Sequence, residues 1–139
     1  MEEIITQLGQ LSDWYSEYGC KSTDIDLLLE KQGAIVGYSY TLAEQVAIDA
    51  GLYIAAKVMR KMDEAKEYID IKSQKQGSIA DTERLALLHT RKQLLGETRA
   101  EIDYTTGKIK LAQINKVLDA MAQRISFLKK EKEIAYNSN

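Results

Sequence analysis

The residue types that could carry out chemistry are few and scattered in this chain. His89 is its only histidine and Cys20 its only cysteine, and neither has Cys, His or carboxylate neighbours at the spacing of a metal site. Cys20 also lacks a base partner in sequence, so a small hydrophobe near a helix end describes it better than a nucleophile. No GxxxxGK[ST] loop occurs, and the glycines precede no strand, so a phosphate-cradling loop is missing. Carboxylates come in pairs, such as Asp63-Glu64 and Asp24/Asp26, but they are interleaved with Lys and Arg and suit ion pairing on helices. These observations predict a protein that is not an enzyme and holds no metal or cofactor.

Recognition of a polyanion is the remaining chemistry to weigh. Lys57, Arg60 and Lys61 share a helix face, Lys66, Lys72 and Lys75 follow, and Arg84, Arg91 and Lys92 come after a turn. A hairpin closed at Gly77 gathers them in one half of the structure, with Tyr53 and Tyr68 among them. Cations interleaved with aromatics suit single-stranded nucleic acid, because phosphates pair while bases stack. The candidate contacts are therefore Lys57, Arg60, Lys61, Lys66, Tyr68, Lys72, Arg84, Arg91 and Lys92. The competing reading puts both tyrosines in a core with their phenols reaching water and leaves the cations as a solvated face.

Charge is distributed unevenly around a net −2. Residues 1–56 carry two basic residues, Lys21 and Lys31, against nine acidic ones, whereas residues 57–92 carry nine basic against six. Residues 93–139 carry eight basic against six acidic. An acidic first third ahead of a mildly basic remainder allows a nucleic-acid site, but equally a protein-docking face.

The elements that must position these residues read as all-α. Pro is absent, and Leu, Ala, Ile, Lys and Glu favour helix over strand. A first helix is predicted over about 2–18, with Ile4, Leu8, Leu11, Tyr15 and Tyr18 on one stripe and Gly19 as a left-handed cap. Ser22 or Thr23 then caps a long helix running towards Gln76, with Gly33 and Gly37 as places for a kink or a close approach. Gln76-Gly77-Ser78 marks the turn near 76–79, with Ser78 and Asp81 as a capping box. A further helical region continues to about Tyr136, giving a hairpin over 23–136 within a single domain, 1–139. Breaks at Gly96 or Gly107 stay open.

Leu88, Leu95, Ile102 and Ile109 recur every seven residues in this last region. Past Gly107 the phase changes into Ile114, Leu118, Met121, Ile125 and Leu128, stepping four, three, four and three as a coiled-coil seam does. Unbroken helices of about 50 residues would reach roughly 75 Å, too long for one small globule to cover on both flanks. The second seam therefore needs a partner, either residues 42–69 of the same chain or a neighbouring copy. A homo-oligomer is the expectation.

The segment TERLALL (Thr82–Leu88) after a short turn, followed by a long helix closing in KVLDAMAQRISFLKKE (Lys116–Glu131), resembles the UvsY-type recombination mediators of tailed phages. The Leu118-Asp119-Ala120-Met121 step ahead of Arg124 matches their C-terminal helix. Where the family's middle motif places Lys-x-Arg two turns ahead of adjacent tyrosines, this chain has Arg60-Lys61 and then the single Tyr68, with Asp63 and Glu64 between them. The resemblance implies an all-helical, ring-forming, single-stranded-DNA-binding accessory protein. It would assist a recombinase against a single-strand-binding protein in the cytoplasm of a bacterial host. No window approaches the ~18 uninterrupted apolar residues of a membrane span. The acidic, amphipathic start MEEIITQLGQ is unlike a signal peptide, and one cysteine fits a reducing cytoplasm. The alternative is a helical interaction module without nucleic acid: a scaffold, an adaptor or an inhibitor of a host defence protein.

Overall fold

The chain is described by a computed structural model over residues 1–74 and 77–138, and the all-α expectation holds. Helix α1 is Glu2–Glu17, α2 is Ile25–Ser73, α3 is Ile79–His89 and α4 is Arg91–Asn137, with one 3-10 turn at Gly19–Lys21. The chain divides into two compact units: Met1–Gln45 with Gly107–Asn139, and Val46–Thr106. Among the described residues, no helix is long and apolar enough to cross a membrane.

Local chemistry explains most boundaries. Glu2 and Glu3 sit in the first turn of α1, where the helix dipole favours negative charge. Gly19 follows α1 for a reason other than a left-handed cap, since the positive-φ glycine is Gly77. A Cβ at Gly19 would lie 2.7 Å from the rings of both Trp14 and Tyr15, so the close approach requires glycine. Helix α2 is capped by Asp24 rather than by Ser22 or Thr23: Leu27 N–H donates to Asp24 Oδ1 at 3.0 Å. Ser22 Oγ instead accepts from Asp24 N–H. Both long helices continue through Gly33, Gly37, Gly96 and Gly107.

The break that does occur lies at Thr90, which the sequence does not mark with Gly or Pro. Thr90 is buried, with φ −101° and ψ 14°. Its hydroxyl and its N–H both donate to the Ala86 carbonyl, at 2.8 and 3.1 Å, and Leu94 N–H donates to the Thr90 carbonyl at 3.1 Å. Gln76 of the expected turn, and the cation Lys75 before it, lie outside the described residues. Gly77 has φ 76°, the left-handed region that glycine enters without steric penalty.

The first unit has a conventional core. Leu8 and Tyr15 of α1, Ile25, Leu28, Ile35 and Leu42 of α2, and Ile114, Met121, Ile125 and Leu128 of α4 are buried. The Ile114–Leu128 seam thus finds its partner within the chain, but on α1 and residues 25–42 of α2, so that the expected stretch 42–69 contributes only its first residue, Leu42. Leu42 lines one groove with Ile5, Leu8 and Ile114, and Leu29 lines another with Ile125. Arg124 ties the unit together by donating from Nε and Nη2 to the Ser22 carbonyl at 3.1 and 3.0 Å. Burial pushes the Tyr15 phenol up, the nearby Cys20 adds to this, and Arg124 opposes it.

The start of α3 is a full capping box. Asp81 N–H donates to Ser78 Oγ at 3.2 Å, while Ser78 Oγ and N–H donate to Asp81 Oδ2 at 2.9 and 3.3 Å. The Ser78 hydroxyl and amide hold the Asp81 carboxyl below its usual range, with a smaller contribution from Arg84. A folded value below the unfolded one stabilises above the ordinary aspartate range, and that stabilisation is lost as pH falls through the lowered value. Ser78→Ala should cost about 1 kcal/mol at neutral pH. The difference between variant and wild type should shrink in acid, as read by chemical denaturation across a pH series.

Candidate functional site

The second unit is built the other way round from the first. Where α2 and α4 meet here, the line of contact is polar. Tyr53 stacks on Tyr104 with ring centroids 6.1 Å apart and planes at 20°. Two turns along, Arg60 donates through Nε to Glu97 and through Nη1 to Glu64 at 2.7 Å. Glu97 is buried. Further on, where α2 meets the end of α3, Glu67 lies 2.9 Å from His89 Nδ1. Hydrogen bonding to Glu97 is the main cause that pushes the Arg60 guanidinium still higher than usual. The apolar complement is small: Ile71 and Ala86 are the buried hydrophobic residues beyond Val46, joined by buried Thr82 and Thr90.

The opposite face of α2 is apolar and uncovered. Ile48, Leu52, Ala55, Met59, Met62, Lys66 and Ile69 step four and three, a heptad ladder broken only by Lys66. The large residues of this ladder are each between 56 % and 67 % exposed, and Ile54 and Val58 widen the stripe. On α4 the outward ladder is Leu95, Thr98, Ile102 and Thr105, with Leu95 at 62 % and Ile102 at 58 %. Leu88 of α3 and Ile109, which belongs to the first unit, are exposed as well. Isolated surface hydrophobes are ordinary, but continuous stripes on soluble helices mark interaction faces.

The two sequence seams therefore part company. Ile114, Met121, Ile125 and Leu128 are buried and Leu118 is half-buried, whereas Leu88, Leu95, Ile102 and Ile109 remain open. The outward ladder on α2 is the feature that sequence reasoning missed. Its four-three spacing was the available signal, hidden because the helix is also apolar at neighbouring positions.

The cations expected to contact nucleic acid do not form one surface. Lys57, Lys61, Tyr68 and Lys72 follow one edge of α2, at helical steps of four, seven and four. Lys57 Nζ lies 5.8 Å from the Tyr53 ring centroid and Lys72 Nζ 5.8 Å from that of Tyr68. Tyr53 and Tyr68 are half-buried, so each keeps part of its ring accessible. Arg60 leaves this edge because its guanidinium is taken up by Glu97 and Glu64. Lys66 falls on the outward ladder. Arg84 is exposed on α3, and Arg91 and Lys92 are exposed at the start of α4. An open groove of ≈ 710 Å³ between α2 and α3 carries Lys61 and Tyr68, but also Glu64 and Glu83. Val46–Thr106 contains ten basic and ten acidic residues, so the unit has no net charge to attract a polyanion by itself. Among the described residues, no cluster of His, Cys, Asp or Glu could hold a metal ion.

A charged pair along a helix contact is stabilising only while both members are present, because either one alone is left without its partner. Glu97→Leu and Arg60→Met should each lower the denaturant midpoint. The double substitution should recover most of that loss, whereas simple addition of the two losses would show that Arg60 and Glu97 act independently. Comparison with protein-family models, with curated proteins and with solved structures finds no match to this chain.

Proposed function

We propose that this chain is a non-enzymatic assembly protein whose copies associate through the second unit and together hold single-stranded DNA. In this reading it assists a recombinase against a single-strand-binding protein. The observation that carries the assembly half is the exposed apolar face of α2, opposite a seam made of Tyr53, Arg60, Glu64 and Glu67. A lone hairpin of this kind leaves its strongest hydrophobic surface in water, and association is the way to remove it. The DNA half draws support from the Lys57–Lys61–Tyr68–Lys72 edge and from the resemblance to recombination mediators. One such edge supplies few phosphate contacts, and repetition around an assembly multiplies them.

A second reading keeps the assembly and drops the nucleic acid, leaving a scaffold, adaptor or inhibitor that docks other proteins. It is favoured by the charge balance of the second unit and by the capture of Arg60 between two glutamates.

Binding of single-stranded DNA across a salt series separates the two. Replacing Lys57, Lys61 and Lys72 with Ala should weaken binding far more than replacing Lys129, Lys130 and Lys132. Each lost phosphate contact should flatten the log–log salt slope by about 0.7. Tyr68→Ala should cost roughly 1–3 kcal/mol with little change of slope, as removal of a stacking platform does. An assembled wild-type protein with no DNA binding at low salt would falsify the DNA reading and leave protein docking.

A further inference from the structure

We propose that the outer face of α2 in the second unit receives the outer face of α4 from a second copy of this chain, in antiparallel register and head to tail. The inference rests on the assembly reading above and adds which surfaces meet. Its support is charge placement beside the two outward ladders. On α2, Asp63 and Asp70 directly follow the ladder residues Met62 and Ile69 and lie seven apart, on one flank of the stripe. On α4, Lys92 and Arg99 also lie seven apart, on the corresponding flank of Leu95, Thr98 and Ile102. None of these four takes part in an ion pair among the described residues. One flank is acidic and the other basic.

The register follows from the spacing. An antiparallel seating that faces Ile69 with Leu95 also faces Lys66 with Thr98, Met62 with Ile102 and Met59 with Thr105. In that same seating Asp63 lies across from Arg99, and Asp70 across from Lys92. One alignment thus satisfies both the apolar layers and the charges. The single cation at a core position, Lys66, meets a threonine hydroxyl, the kind of polar layer that fixes register in coiled coils.

The same charges discriminate against symmetric alternatives. Two α2 faces packed on each other in antiparallel fashion would bring aspartates against aspartates, and two α4 faces would bring Lys92 and Arg99 against their own kind. Like charges across a contact suppress such pairings. When the α2–α4 contact is used once between two copies, it leaves one α2 face and one α4 face free. Such a heterologous contact continues until it closes as a ring or extends as a filament.

Disulfide trapping in full-length chains carrying Cys20→Ser provides the test. Met62→Cys and Ile102→Cys are prepared separately, then oxidised alone and after mixing. The mixture should give roughly tenfold more crosslinked dimer than either alone, as a difference of one decade in pairing would produce. As a second arm, Asp63→Lys with Asp70→Lys, and separately Lys92→Asp with Arg99→Asp, should each bring the solution mass down towards 15.7 kDa. All four substitutions in one chain should restore the wild-type mass. Crosslinking of Met62→Cys with itself as readily as with Ile102→Cys overturns this interface while leaving assembly in place. Masses unaffected by charge reversal do the same. A wild-type chain that stays at 15.7 kDa at all micromolar concentrations overturns the interface and the assembly reading together.

Discussion

An ion pair placed along the contact between two helices constrains everything around it. Arg60 is held between Glu97 and Glu64 on the line where α2 meets α4 in the second unit. A guanidinium there must be fully partnered, since an unpaired charge at a partly dry contact is strongly destabilising. The stacked tyrosines continue the polar line on one side, and on the other α2 meets the end of α3 through the Glu67–His89 pair. With polar side chains committed to this contact, the aliphatic residues of the same helices are displaced to the far side. The outward ladder is thus the counterpart of the inward ion pair.

Helices α2 and α4 contribute to both units, and the contrast between the units isolates the effect. In the first unit, Leu28, Ile35 and Met121 are completely enclosed, each such burial being worth about 1.5–3 kcal/mol. In the second, Met59, Met62 and Ile69 stay in water and contribute almost nothing to the single chain. In the proposed assembly, the second unit is the part whose stability would depend on what it binds. Coupling that stability to association would let the protein present its lysine–tyrosine edge repeatedly, which suits a ligand as extended as a nucleic acid strand.

Much of this was legible in the sequence, and the remainder was hidden for definite reasons. Helix content, the capping box at Ser78–Asp81 and the four-three seam over Ile114–Leu128 could all be read from residue types and spacing. Periodicity says which side chains share a face, but not whether anything covers that face, so Leu95 and Ile102 looked the same as Met121. The partner of Arg60 is 37 residues away in sequence, beyond the reach of any local pattern. The break at Thr90 carries no Gly or Pro, and a threonine gives no warning of it in a helical context. Asp24 took the capping position because its carboxylate reaches Leu27 N–H, leaving Ser22 to support Asp24 instead.

The central claim is that the second unit is completed by association while the first is complete alone. Hydrogen–deuterium exchange of the full chain at low and high protein concentration addresses it directly, because exchange reads local stability segment by segment. The account predicts that protection of amides in residues 48–69 and 91–106 rises with concentration, while that of residues 25–42 and 114–128 stays constant. Protection in residues 48–69 that is independent of concentration from the monomeric range upward would contradict it.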